Sequence, residues 1–402
     1  MTRARLAVIC DYAEERWPSM DLVAEMLCAE LKARHSESFE VTRVQPRFVR
    51  RLSRAAAAGD RAGNSRVRTA LFNADRALNR FVDYPRALRR RRNDFDLFHI
   101  VDHSYGHLAL ELDRARTVVT CHDLDAFACL LASDGGGRRS LPLRLMARRT
   151  LAGMRRAARV CCPSAATRDA LAAAALVAPE RVAVIPNGVH PAYSPQPDPA
   201  ADAAVARLLG TADPSAIEIL HVGSTIARKR IDLLLHILAR VRARFPAVRL
   251  VKAGGAFTAD QLALADALGV RGAIVAIPFV EPPMLAAVYR RCALALLPSD
   301  SEGFGLPLIE AMACGTPAIG SAIAVLREVG GDAAVYCAAG DAPAWSATVG
   351  SMLRERAADP TRWAGRRAAA VARAGSFSWS AYADRCAAVY RELADGRQGE
   401  AR

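Results

Sequence analysis

One local pattern runs through this chain twice. Short apolar runs alternate with stretches of helical periodicity on both sides of a proline-rich segment, Pro186–Pro199 (PNGVHPAYSPQPDP). Before that segment, Leu6–Cys10, Phe39–Val44, Leu97–Val101, Thr117–Cys121, Val160–Cys162 and Val182–Ile185 read as strands. Ser19–Ala33 and Leu141–Ala158 read as helices between them. After it, Ile217–Val222, Val248–Lys252, Ile274–Ile277 and Ala293–Leu297 read as strands, and Ile231–Ala243, Ala259–Leu268, Pro283–Arg291 and Leu306–Cys314 as helices. Strands separated by helices imply a parallel sheet covered by helices. At 402 residues the chain exceeds one typical core, so two such α/β domains are expected. We place the first at 1–190, with a basic helical hairpin inserted at about 46–92, and the second at 191–377. A C-terminal helix over 378–402, carrying Trp379, Tyr382 and Tyr390, is expected to pack back on the first domain.

Charge is unevenly distributed. Residues 1–195 carry 32 Lys and Arg against 21 Asp and Glu, a surplus of 11 out of a net +14. Fifteen arginines lie between Arg43 and Arg92, against Asp60, Asp75 and Asp83. Such a face suits an anionic partner: a membrane surface, a phosphate-bearing substrate or a nucleic acid. The window holds Phe48, Phe72, Phe81 and Tyr84 but no known nucleic-acid recognition arrangement. No apolar run is long enough to span a bilayer. The N-terminus, MTRARLAVICDYAEE, turns acidic too early for a secretory signal. The ten cysteines include no CxxC pair and no zinc-like spacing, as expected of reduced thiols in a cytoplasmic protein. The glycine-rich loop Asp134–Arg139 reads as mobile.

Two segments carry chemistry. In Ser299–Gly320, SDSEGFGLPLIEAMACGTPAIG, Glu302 and Glu310 flank Gly303-Phe304-Gly305-Leu306. Glycines admit a ligand close to the backbone, the helix that follows presents its N–H groups to a phosphate, and a carboxylate can accept from sugar hydroxyls. In His221–Leu235, HVGSTIARKRIDLLL, a strand is followed by Gly223-Ser224 and then by Arg228 and Lys229 at a helix start. This is a phosphate-binding arrangement, and it is neither a dinucleotide fingerprint nor a Walker sequence.

These segments resemble the retaining glycosyltransferases of the GT-B fold in glycosyltransferase family 4, the "glycosyl transferases group 1" family. Ser299–Gly320 looks like that family's paired-glutamate motif, and HVGSTIARKR looks like its diphosphate-binding segment. RVAVIPNGVHPAYSP looks like the entry to its interdomain linker, and FVEPPMLAAVYRRCALALLPS like the stretch whose loop, at Val280, contacts the base. The resemblance is densest over residues 181–340. It implies two Rossmann-like domains facing across a cleft. It also implies donor contacts from Gly223, Ser224, Arg228, Lys229, Val280, Gly303, Phe304, Gly305, Leu306 and Glu310. Glu310 would hold ribose, Glu302 would face the donor sugar, and Arg228 and Lys229 would neutralise the diphosphate. TVVTCHDLDAF places His122 at a strand end like the family's histidine, so the catalytic set is His122, Glu302, Arg228 and Lys229. Asp102, His103, Tyr105 and His107, from VDHSYGHLAL, are acceptor candidates on the same rim. No metal or other cofactor is implied, although Asp94-Phe-Asp96 and Asp123-Leu-Asp125 are present. Two departures stand out. DYAEERWPSMD replaces the family's glycine-rich first loop, where Ser19 and Asp21 could cap a helix, and Ser224 stands where the family often has arginine.

The expected function is transfer of a hexose-type sugar, with retention, from a UDP- or GDP-sugar to a saccharide or lipid-linked acceptor. The setting would be polysaccharide, lipopolysaccharide or glycolipid biosynthesis. The enzyme would be cytoplasmic, with peripheral contact to the inner face of an anionic membrane. The alternatives are a GT-B epimerase or phosphorylase, a non-catalytic donor-binding homologue and, remotely, a basic nucleic-acid-binding protein.

Overall fold

The computed structural model describes residues 3–15, 17–54, 65–131, 141–210 and 216–400. The segment 134–139 lies outside them, as does part of the basic insertion. The chain divides into two compact units, Met1–Pro186 with Trp379–Arg402, and Asn187–Ser378.

The first unit is built on a parallel sheet of β1 (Ala4–Ile9), β2 (Phe39–Val44), β3 (Leu97–Ile100), β4 (Thr117–Thr120), β5 (Arg159–Cys162) and β6 (Val182–Val184), in the order β2-β1-β3-β4-β5-β6. Every position of β3 and β4 is buried, as helices on both faces require. The polar exception, His99, is fully satisfied: its imidazole meets the Tyr390 hydroxyl at 2.5 Å and Thr120 Oγ1 at 2.7 Å. Helices α1 (Pro18–Arg34), α2 (Ser65–Leu78), α3 (Tyr84–Arg91), α4 (Leu141–Arg156) and α5 (Ala165–Ala173) complete the unit with the C-terminal helix Trp379–Glu400. That helix returns as expected. Trp379, Tyr382 and Tyr390 share a buried cluster with Leu6, Leu27 and Phe39, and Tyr390 sits edge-on to Phe39 at 5.6 Å.

One expectation changes here. α1 begins at Pro18 after Trp17 and has no side-chain cap, so neither Ser19 nor Asp21 caps it; the proline fixes the first helical turn instead. The expected hairpin lies partly outside the described residues: 52–54 are helical where the description stops, and after it α2 passes through a π-turn at Asn79–Asp83 into α3. The π-turn lies just before Pro85, whose ring cannot fit an unbroken α-helical ladder. Asp75, fully buried, accepts from the backbone N–H groups of Arg51, Leu52 and Ser53, which ties α2 to the chain that leads into it.

The second unit repeats the architecture with β7 (Ile217–Val222), β8 (Val248–Ala253), β9 (Ile274–Ile277), β10 (Leu294–Leu297), β11 (Ala318–Ser321) and β12 (Val335–Cys337), in the order β12-β11-β10-β7-β8-β9. Its helices are α6 (Pro199–Leu209), α7 (Ile231–Arg242), α8 (Ala259–Ala267), α9 (Pro282–Arg291), α10 (Leu306–Ala313), α11 (Ala324–Gly330), α12 (Ala342–Ala358) and α13 (Pro360–Ala374). In each sheet the chain runs outward in one direction and then resumes on the other side of its first strand. The switch falls between β1 and β3 in the first unit and between β7 and β10 in the second. Beyond the carboxyl ends of strands at such a switch, α/β sheets leave a crevice.

Candidate active site

In the second unit the loops after β7 and β10 lie side by side, because those strands pair (Leu294 with Ile219, Ala295 with Leu220). The Asp300 N–H donates to the Arg228 carbonyl at 2.8 Å and clips the loops together. Their side chains then converge on Glu302. Lys229 Nζ donates to Glu302 Oε1 at 2.6 Å, Ser299 Oγ to the same oxygen at 2.7 Å, and Arg228 Nη1 to Oε2 at 3.2 Å. Burial by itself would raise the Glu302 pKa, but the charges of Lys229 and Arg228 hold it below the ordinary glutamate value. The result is a fixed carboxylate clamping two cations at the sheet's switch point. Arg230, left-handed at φ +51°, starts α7 and is held by Asp232 and Asp300.

The glycines of this site are required by geometry at two places. Gly254, at φ +112° after β8, passes so close to the β7 loop that a Cβ would stand 2.5 Å from the Gly223 carbonyl oxygen. Gly305, at φ +90°, caps α10 with no side-chain acceptor, and a Cβ there would meet Leu326 Cδ2 at 2.5 Å. Phe304 is buried edge-on against Phe377 at 5.6 Å, so only its backbone faces the loop's ligand side. Val280 is half-buried in the loop between β9 and α9, beside the exposed Phe279.

Glu310 is placed one turn inside α10 and is 7% exposed. Tyr289 of α9 donates to its Oε2 at 2.9 Å, and Tyr193 also hydrogen-bonds it. Burial pushes its carboxyl up to about 7. Two further groups border the site. His221 Nδ1 donates to the Leu296 carbonyl at 3.0 Å, which leaves Nε2 bare and buried, and burial drives its pKa down to about 4. Lys252, buried at the end of β8, donates to the Gly255 carbonyl and is lowered to about 8 by burial. Tyr193, Tyr289, His221 and Lys252 were given no role in the sequence, although the first three stand inside the quoted segments, because nothing local distinguishes them from their neighbours.

In the first unit the expected rim residues separate into two groups. Asp102, His103 and His122 cluster at the ends of β3 and β4. Asp102 accepts from the Ser104 N–H at 2.8 Å and Oγ at 2.5 Å. His103 lies between Asp102 (Nδ1 to Oδ1, 3.3 Å) and Asp123 (Nε2 to Oδ1, 3.6 Å). His122 Nε2 donates to the Val101 carbonyl at 2.7 Å, so the proton sits on Nε2, and burial lowers its pKa. Tyr105 and His107 belong instead to the interior. The Tyr105 hydroxyl accepts from the Tyr12 N–H at 3.2 Å, and its ring carries the Arg80 guanidinium at 4.2 Å. His107 Nε2 donates to the Arg80 carbonyl at 2.7 Å, and its ring stacks on Phe81 at 4.3 Å. The short 3-10 stretch that carries them turns their side chains inward, a rotation that strand-end spacing does not reveal. Of the DxD strings, Asp96 chelates Arg5 and Asp94 pairs with Arg91, both structural uses.

Two family models match, "Glycosyltransferase Family 4" over residues 22–193 and "Glycosyl transferases group 1" over 211–368. The chain belongs to the group 1 glycosyltransferases of family 4. D-inositol 3-phosphate glycosyltransferases of this kind from Segniliparus rotundus and Mycolicibacterium gilvum are each 36% identical, over 228 and 231 residues. Those matches span 54% of this chain and only 48% of either relative, so about half of each relative's length is matched. Solved structures share the fold. Sucrose-phosphate synthase from Thermosynechococcus elongatus superposes with a TM-score of 0.72 at 20% identity, covering 98% of this chain and 100% of that one. HepE of Anabaena, solved with UDP and glucose, gives 0.71 at 16%, covering 97% and 100%. WaaG, a glycosyltransferase involved in lipopolysaccharide biosynthesis, gives 0.64 at 16%, covering 96% and 99%. The two six-stranded parallel units are the GT-B fold.

Proposed function

We propose that this glycosyltransferase moves a hexose-type sugar from a UDP- or GDP-sugar to a saccharide or lipid-linked acceptor, with retention of anomeric configuration, in polysaccharide, lipopolysaccharide or glycolipid synthesis. The observation that carries the reading is the clamp of Glu302 on Lys229 and Arg228 at the switch point of the second sheet, with Glu310 one turn inside the adjoining helix. Cations on two joined loops can neutralise a diphosphate as it leaves, with little reorganisation. Glu310 accepts from the ribose hydroxyls. The backbone from Gly303 to Leu306 meets the sugar and phosphate, Gly223 and Ser224 border the diphosphate, and Val280 borders the base. HepE, solved with UDP and glucose, is the structural precedent for this class of donor. The acceptor oxygen bonds to the anomeric carbon as the carbon–phosphate oxygen bond breaks, and the acceptor proton passes to the departing diphosphate. Under this reading charge neutralisation rests on Arg228 and Lys229, so chelation by EDTA leaves the rate unchanged. In a donor assay the nucleotide sugar stays intact until acceptor is added, and Lys229→Ala or Glu310→Ala abolishes transfer. Phosphate-dependent cleavage or epimer formation without acceptor would instead identify a phosphorylase or epimerase, and binding without turnover a non-catalytic homologue.

A specific feature favours membrane-borne acceptors. Arg89 of α3 and Arg149 of α4 both pair with Glu111, at 3.1 and 3.7 Å, which joins the two arginine-rich helices into one basic face. The same α4 exposes Leu141 and Leu145. Among the described residues no helix is long and apolar enough to cross a membrane, so this contact would be peripheral, at the cytoplasmic face. Sedimentation with phosphatidylglycerol vesicles, lost on phosphatidylcholine vesicles, is the expected result; binding that ignores anionic lipid contradicts it.

A further inference from the structure

The first unit has its own switch point, and what stands there is polar, buried and incompletely satisfied. β1 and β3 pair in register, Ile9 beside Ile100, and the Val101 N–H continues the ladder to the Ile9 carbonyl. Two residues beyond each strand, Asp11 and Asp102 therefore leave the sheet side by side. Asp11 is 4% exposed, and neither of its carboxyl oxygens has a hydrogen-bond donor among the described residues. Arg80, from the π-turn, faces the same place. Its Nη2 donates to the Ser104 carbonyl at 2.7 Å and Oγ at 2.8 Å, while its Nε is buried with no acceptor. Buried polar atoms without partners are costly, and they gather where a ligand completes them.

We propose that Asp11, Asp102 and Arg80 bind a hydroxyl group of an uncharged polyol or sugar acceptor at the β1/β3 switch point. The inference rests on the glycosyl-transfer reading and gives the acceptor a chemical class. Three observations support it. The position is the counterpart, in the first sheet, of the β7/β10 crevice that carries the Glu302 clamp. The group at its floor can both give and take a hydrogen bond. Burial and the neighbouring Asp102 raise the Asp11 pKa above its ordinary value, whereas His103, His122 and hydrogen bonds lower that of Asp102 against its own burial. The carboxyl oxygens of Asp11 are acceptors, and the buried Arg80 Nε–H is a donor, for which no partner is found among the described residues. A hydroxyl matches that set, donating to a carboxyl oxygen of Asp11 and accepting from the Arg80 Nε–H. A phosphate does not match. Asp11 feels Asp102 and Glu15 as well as Arg80, and the Arg80 guanidinium is already engaged by Ser104 and lies 3.6 Å from Glu15. A dianion placed there would meet mostly negative neighbours.

The test titrates the full chain with myo-inositol, D-glucose, D-galactose and D-inositol 3-phosphate, read by saturation-transfer NMR. At least one uncharged polyol binds, and Asp11→Ala weakens it by about tenfold. Asp11→Asn, which keeps one donor and one acceptor at the same volume, stays within about threefold of the parent and also shows that loss in the alanine variant is not misfolding. Absence of polyol binding, alanine-variant binding equal to the parent's, an asparagine variant as weak as the alanine one, or binding of D-inositol 3-phosphate alone would each overturn the proposal. UDP-sugar binding on the same samples reports on the second unit. Its failure with polyol binding intact would count against the proposed donor chemistry and leave this inference standing.

Discussion

Glu310 is asked to do two opposed things: to be buried and to accept hydrogen bonds as an anion. Its carboxyl stands at about 7 because burial outweighs the two tyrosine hydroxyls that favour the charged form. Ribose hydroxyls donate best to the ionised form, so donor affinity should rise with pH through about 7 and level off above it, as calorimetry at several pH values would show. The linked stability effect has the opposite sign. A raised carboxyl pKa favours the protonated folded state, so the fold loses stability as pH climbs from the unfolded glutamate value to about 7. Glu310→Gln should therefore raise the melting temperature at pH 8, remove the pH dependence of binding and weaken the donor. Glu302, Lys229 and Arg228 could be singled out in the sequence because they stand beside glycines in two segments that resemble a family's motifs. Their mutual clamp was not legible, because it depends on two loops 70 residues apart being brought together by strand pairing. Asp11 was hidden for the same reason: beside Tyr12 in an acidic loop it reads as solvated, and only register with Asp102 shows it buried.

At the scale of elements, close backbone approaches fix where these side chains point. Gly153 of α4 lies against the 3-10 stretch after β3; a Cβ there would stand 2.0 Å from the Gly106 carbonyl oxygen. Gly153→Ala should push α4 off that stretch and cost about 1–3 kcal/mol by urea denaturation, with a change in acceptor KM rather than in donor affinity. Gly254→Ala should strain the contact with the β7 loop and weaken donor binding, because φ +112° is a conformation that alanine rarely adopts. The long apolar strands and the amphipathic helices were read within a residue or two, since burial on both faces leaves little ambiguity. Among the elements not assigned are α5, α6, β11, α12 and α13. α12 has no clean apolar stripe, α13 has one built mainly of alanines behind Trp363, and β11 (AIGS) is too short to carry a period. The helical character of the insertion was legible, whereas the π-turn before Pro85 that lets one helix continue into the next was not.

Across the whole molecule, four histidines are buried in their neutral form. His99 and His107 are lowered to about 3, His221 to about 4, and His122 below its ordinary value, in each case chiefly by burial. In the unfolded chain they take up protons near pH 6.5, so their contribution is intact above that pH and falls as pH drops toward the folded values. Thermal melts should show stability declining below about pH 6.5, by up to roughly 1.4 kcal/mol per pH unit for each such group. Tyr390→Phe, which removes one partner of His99, should destabilise the first unit by about 1 kcal/mol and leave the second unchanged. The two-unit architecture follows from alternation and could be read from the chain. The proposed acceptor site could be read only in part: Asp102 stood out, but Asp11 and Arg80 come from the end of β1 and from the insertion, segments that only the folded sheet brings together. The account depends most on the second unit holding a nucleotide sugar through Lys229 and Glu310. Calorimetric titration of UDP- and GDP-hexoses tests this directly. At least one should bind the parent chain, and Lys229→Ala and Glu310→Ala should each weaken it by about tenfold or more, a loss of ~1.4 kcal/mol or greater. If no nucleotide sugar binds, or if both variants bind as the parent does, the assigned site is wrong.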